Sequence, residues 1–293
     1  MAGHNHDDID HITGTSTTGH EWDGIKELNT PLPKWWLNLF YACIIWSVGY
    51  YVAYPAWPGI SSYTKGVLGY SSRADVQVEL DALKAQRASA AADLAKADLA
   101  AIKADPKMLA VALAQGKAAF GDNCAPCHGI GATGSKGYPN LNDDDWLWGG
   151  KLADIYTTLQ NGIRSTNNGE TRISAMPAFG KDGILKKEEI RTVSNYAVTL
   201  AGGKAEAGVD LKAGEKLFAE NCASCHGDKG AGNPELGAPN LTDQIWLYGG
   251  KIEDVIETVT NSRAGVMPAW NERLDTATIK SLAVYVHSLG GGK

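Results

Sequence analysis

The longest stretch of this chain without a charged side chain runs from Trp35 through Thr64 and begins WWLNLFYACIIWSVGYYVAYPAWPGI. A helix rises about 1.5 Å per residue, so roughly 20 such positions cross a hydrocarbon layer about 30 Å thick. Trp35 and Trp36 at one end, and Tyr54 and Trp57 at the other, suit the two interfacial belts of a bilayer. Pro55 and Pro58 end the run, and the pattern predicts one membrane-spanning segment over residues 35–60. The alternatives are a buried helix of a soluble protein and a signal peptide. A long polar leader precedes the run and no clean small-residue cleavage site follows it, which disfavours a signal peptide. Lys26 and Lys34 before the span balance Lys65 and Arg73 after it, so charge alone gives no orientation.

Beyond the span the pattern changes to ADVQVELDALKAQRASAAADLAKADLAAIKAD, residues 74–105, rich in strong helix formers and closed by Pro106. This predicts a polar-faced helical spacer or support, within a connecting region of residues 61–106. Past it the chain repeats itself. GKAAFGDNCAPCHG (116–129) matches GEKLFAENCASCHG (214–227), and Pro139-Asn140-Leu141 returns as Pro239-Asn240-Leu241. WLWGGKLADI (146–155) returns as WLYGGKIEDV (246–255), and MPAF (176–179) as MPAW (267–270). EEIRTVSNYAVTL (188–200) matches ATIKSLAVYVHSL (277–289). Each copy predicts a helix ending at CxxCH, a Gly/Pro/Asn loop, a helix from near Lys151 or Lys251, a loop carrying Met-Pro, and a closing helix. Neither copy alternates as strands do. The predicted fold class is all-α, with units at 107–203 and 204–293 after a flexible segment 1–34. That head carries His4, His6, His11 and His20, read as solvent-exposed rather than as a metal site.

Composition narrows the chemistry. A net charge of -6 gives no footprint for nucleic acid. Five cysteines are too few for a disulfide scaffold, and four of them form the two CxxC pairs, leaving Cys43 in the apolar run. Helical units of under about 100 residues are short of core, and a large apolar cofactor in each would supply it. CxxCH is the attachment pattern of c-type haem: two thiols one turn apart can form thioethers, and the adjacent histidine faces the iron. Cys124, Cys127 and His128 make one candidate haem site; Cys222, Cys225 and His226 make another.

A second axial ligand is needed for each. Met176 and Met267 match in the repeat, 48 and 41 residues beyond their histidines, whereas Met108 has no counterpart. His287 aligns with Val198 and is read as ordinary. Pro139 and Pro239 can offer carbonyls to the histidines' second nitrogens. Phe120, Phe218, Tyr196 and Tyr285 are read as core aromatics. A thioredoxin-like pair would leave both histidines idle, and a zinc site would need the two sets to pool ligands although each carries its own loop and methionine.

Anchor, spacer and two CxxCH units together resemble subunit III of the cbb3-type cytochrome c oxidases, a membrane-bound dihaem cytochrome c. The likeness runs through HEWDGIKELNTPLPKWW (20–36), the span, both CxxCH and both Met-Pro motifs. It implies two tandem class I-like cytochrome c domains with two covalent haem c groups. It pairs His128 with Met176 and His226 with Met267. It implies a single-pass protein of the bacterial cytoplasmic (inner) membrane with haem domains in the periplasm. The chain would take electrons from a cytochrome c or similar donor and pass them, through a monohaem cytochrome c subunit, towards an oxygen-reducing haem–copper catalytic subunit. Besides those subunits its surroundings are membrane lipid, and no residue of the chain is expected to be catalytic. The alternatives are a free-standing membrane-anchored dihaem carrier serving another reductase and, third, a dihaem peroxidase.

Overall fold

Asp23 and Gly24 both take positive φ, 50° and 83°, as a two-residue hairpin turn that follows the twist of its strands demands. They join β1 (Thr17–Trp22) to β2 (Ile25–Leu28) as an antiparallel pair in which Trp22 faces Ile25 and Glu21 faces Lys26. The leader expected to be flexible over residues 1–34 therefore contains a hairpin, and the Asp-Gly dipeptide is the signal for it. The computed structural model describes residues 8–292; His4 and His6 lie outside them.

The chain divides into two units, one up to Lys84 and one from Ala85 onward. In the first, α1 (Lys34–Ala53) includes an 18-residue window of mean hydropathy 1.3 and buries none of its residues. A helix that is apolar all round and buries none of its residues suits lipid around it. Ser47 donates its hydroxyl to the Cys43 carbonyl 2.8 Å away, so this polar group is satisfied within the helix. The helix stops where Tyr54, extended at φ -115° and ψ 164°, precedes Pro55.

The second unit contains the C-terminal part of α2 (Ser72–Lys96), then α3 (Leu99–Ala104) and α4 (Pro106–Asn123). Asp98 caps α3 by accepting from the Ala101 amide, and Asp105 caps α4 by accepting from Lys107 and Met108, with Pro106 at the first helical position. The repeats supply α5 (Ala125–His128), α6 (Leu152–Asn161) and α7 (Lys187–Leu200), then α8 (Leu211–Asn221), α9 (Ala223–His226), α10 (Ile252–Asn261) and α11 (Thr276–Ser288). This is the order of elements that the repeat predicts.

Their packing is not. The opening helix of the first repeat, α4, lies against α11, the closing helix of the second, while α7 lies against α8. Phe120 meets Tyr285 and Phe218 meets Tyr196, each with ring centroids 5.6 Å apart. Gly116 sits where a Cβ would collide with the Ser281 carbonyl, and Gly214 where a Cβ would come 2.9 Å from the Thr192 carbonyl. Two cores result. One gathers Phe120, Ile155, Leu159, Ile279 and Leu282 from α4, α6 and α11. The other gathers Ile190, Val193, Phe218, Val255 and Val259 from α7, α8 and α10. Helices from both sides of residue 203 share each core: the first lobe is split in sequence, and the helices of the second lie between its two parts along the chain.

The reason lies on the outer faces of the closing helices. Ala277 and Val284 of α11 join Leu94, Ile102 and Ala112 in a third cluster that seats α2 and α3. Lys280 reaches the Ala95 and Ala97 carbonyls at 2.7 and 2.6 Å, covering the end of α2. The aligned positions on α7 are Glu188, Arg191 and Asn195. Arg191 and Asn195 turn instead to Glu206, at 2.8 and 3.0 Å. Only α11 carries an apolar second face for the support that precedes α4. The spacer is therefore a support at its C-terminal end, where Leu94 and Ile102 are buried.

Candidate haem-binding sites

Each CxxCH begins with a cysteine at the end of a long helix and continues as a single further turn, α5 or α9. The turn places His128 Nδ1 3.0 Å from the Pro139 carbonyl and His226 Nδ1 3.0 Å from the Pro239 carbonyl. A carbonyl only accepts, so Nδ1 carries the proton and Nε2 presents its lone pair. Burial lowers the pKa of both imidazoles, which favours the neutral, ligating form, although each proline carbonyl acts in the opposite direction. The proline carbonyls thus sit where the sequence places them.

The first cysteine of each pair is shielded. Burial, and then the neighbouring thiol, push Cys124 and Cys222 up to about 11. Cysteines of a redox CxxC pair are shifted the other way, which argues against a thiol-exchange pair here. Cys127 and Cys225 are exposed.

The methionines arrive crosswise. Met267 packs in the core that holds Cys124, and Met176 in the core that packs on Cys222. The structure thus brings Met267 beside the core of the first CxxCH and Met176 beside that of the second, each methionine next to the other repeat's cysteines. The ends of the middle helices explain how. After α6, Ile163 and Met267 exchange two backbone hydrogen bonds of 2.9 Å, and the Trp270 amide donates to Leu159. After α10, Ser262 donates its hydroxyl to the Met176 carbonyl at 2.6 Å, and the Gly180 amide donates to Thr260.

Four residues before each methionine stands an arginine that the motif reading missed, in RISAM (172–176) and RAGVM (263–267). Arg172 lies 5.0 Å over Trp148 and Arg263 lies 4.7 Å over Tyr248, with Trp148 and Tyr248 at matching positions. Arg263 is also bonded to Thr258 and to the Asp254 carbonyl. Arg172 Nε is buried and has no acceptor among the described residues. Burial, and then the Lys103 charge, lower the pKa of His287.

The loops that close the sites also carry acids. Asp145 is pushed up to about 6 by burial, then by Asp243, Asp143 and Asp144; Asp143 is raised as well.

These residues fit haem c. Two thiols and a neutral imidazole with a free Nε2 form the attachment set, a soft thioether stands in the same core, and an unpartnered buried guanidinium N–H suits a haem carboxylate. A family model described as "Cytochrome C oxidase, cbb3-type, subunit III" matches residues 111–196 and 209–286. A second, "N-terminal domain of cytochrome oxidase-cbb3, FixP", matches residues 14–61.

The chain belongs to the cbb3-type subunit III family.

Among its relatives, the FixP subunit of Bradyrhizobium sp. (strain ORS 278) is 62% identical over 98% of this chain and 99% of its own. The CcoP subunit of Cereibacter sphaeroides is 52% identical over 94% of this chain and 95% of its own. The FixP subunit of Rhizobium meliloti is 50% identical over 98% and 99%. As subunit III the chain is a non-catalytic electron-transfer component of the oxidase complex, works with c-type haem, and crosses the inner membrane once. Membership of that complex displaces the free-standing carrier and peroxidase alternatives.

Proposed function

We propose that this subunit holds two covalent haems, one per lobe, with crossed distal ligands. Cys124, Cys127 and His128 hold the first with Met267; Cys222, Cys225 and His226 hold the second with Met176. The observation that carries the assignment is the packing of each methionine in the other repeat's core. When bound, each haem supplies a one-electron iron couple. The chain's own part is to fix that couple's surroundings: Pro139 and Pro239 hold the imidazoles in the ligating tautomer, and a methionine partner raises the potential. Arg172 is positioned to meet a haem carboxylate. A histidine and a methionine would hold each iron from the protein, which suits a relay rather than an oxygen-binding site.

In this reading the lobes lie in the periplasm. They take electrons from a cytochrome c or similar donor and pass them through the monohaem subunit to the haem–copper subunit.

The ligand assignment is tested in a Cys222→Ser/Cys225→Ser chain carrying only the first haem. Near-infrared magnetic circular dichroism should show a methionine–iron charge-transfer band that Met267→Ala abolishes and Met176→Ala leaves in place. The opposite result would restore the uncrossed pairing.

A further inference from the structure

Among the described residues, Arg164 is the one side chain hydrogen-bonded to both methionine-bearing segments. Its Nε donates to the Gly265 carbonyl at 2.7 Å, two residues before Met267. Its Nη1 donates to the Ser174 carbonyl at 2.6 Å, two residues before Met176. Its own amide donates to Arg172 at 2.7 Å, and its neighbour Ile163 is the residue paired with Met267. The two segments cross here on their way between lobes, and a rigid guanidinium fork spans them as a flexible amine would not. The backbone also marks the position. Arg164 has φ +51°, a left-handed conformation that side-chain-bearing residues adopt at a cost and keep only where their surroundings dictate it. No carboxylate forms an ion pair with Arg164 among the described residues. Its hydrogen bonds instead run to carbonyls of the crossing segments.

We propose that Arg164 is a positioning residue for both distal methionines, so that ligation at the two haems is coupled through one side chain. The proposal rests on the crossed ligand assignment above. It goes further in making one residue outside either ligand set a common control point: loosening the fork frees the tether of Met176 and that of Met267 together, whereas each methionine substitution acts on one haem.

The test uses the full-length, haem-loaded oxidase complex. In Arg164→Gly the side chain is lost at a φ that suits glycine, so the backbone itself is not strained by the change. Covalent haem per chain should stay at the wild-type value. The near-infrared methionine–iron bands of both haems should weaken, with the ligand-free fraction of each rising about tenfold, and both potentials should fall. Arg164→Lys keeps the charge but not the fork, and should give a smaller loss at both haems. Met176→Ala and Met267→Ala, measured alongside, should each remove one band. If they do while Arg164→Gly leaves either band at wild-type strength and thermal stability, the coupling is refuted and the ligand assignment stands. If the methionine variants remove no band, the ligand assignment itself has failed. Should Arg164→Gly lose covalent haem, the lysine variant decides: a loss confined to one haem refutes the coupling.

Discussion

At the scale of single residues, most of each site is legible in the sequence because its chemistry is local. Cys-x-x-Cys-His fixes three groups on one turn, and the proline whose carbonyl accepts the imidazole hydrogen bond follows 11 residues after His128 and 13 after His226. Arg164, Arg172 and Arg263 were not legible, because their roles depend on backbone carbonyls and aromatic faces brought from elsewhere in the chain. Asp145 shows the same limit: no motif singles out the three consecutive aspartates, and Asp243 arrives beside them from the other repeat. Its folded pKa, about 6, lies above the ordinary 3.8. The folded state thus holds this proton more tightly than the unfolded chain, and the contribution to stability falls as pH rises from about 4 to 6. Asp145→Asn should raise stability at pH 7 by about 1–2 kcal/mol, after discounting for partial exposure, and change little at pH 4. Thermal unfolding at the two pH values checks this; a lower melting temperature at pH 7 would contradict it.

At the scale of elements, every repeat helix was predictable from its motif, and so was the membrane helix from its length and aromatic ends. The partners of α4 and α8 were not predictable from those motifs. Both closing helices carry the same tyrosine, so the Phe–Tyr contact and the glycine crossing fit either arrangement. The discriminating signal is on the opposite face, where Ala277, Lys280 and Val284 stand against Glu188, Arg191 and Asn195. The glycines of α4 make the contact testable. Gly116→Val would drive a side chain into α11 at Ser281 and Tyr285 and should cost about 1–3 kcal/mol or more. Gly121 on the same helix has nothing within 4 Å of an added Cβ, so Gly121→Ala should be neutral or stabilise by up to about 1 kcal/mol. Comparing the two melting temperatures separates crowding at the crossing from helix propensity. Equal effects would mean that α11 is not the neighbour of Gly116.

At the scale of the whole second unit, one lobe is nested inside the other. The expectation of two units in tandem rested on motif order, which nesting leaves unchanged. A repeat seen in sequence does not say which copies of its helices share a core. A fragment of residues 162–265 holds α7, α8, α9, α10, Met176 and Arg164, and exported alone it should carry one covalent haem with methionine ligation. A fragment of residues 85–203 has CxxCH and Met176 but lacks α11 and Met267. It should fold poorly and show no methionine–iron band. Haem staining and near-infrared spectra of the two fragments decide the matter, and a well-folded, methionine-ligated 85–203 fragment would refute nesting. Nesting also imposes a timetable. A chain emerging from its N-terminus delivers all of the inner lobe by residue 265, while the outer lobe waits for α11 at residues 276–288. The first CxxCH to emerge therefore belongs to the last core to close. Cys124 and Cys127 stay open to the attachment machinery for the longest interval, and the inner lobe must hold its own shape before its enclosure exists.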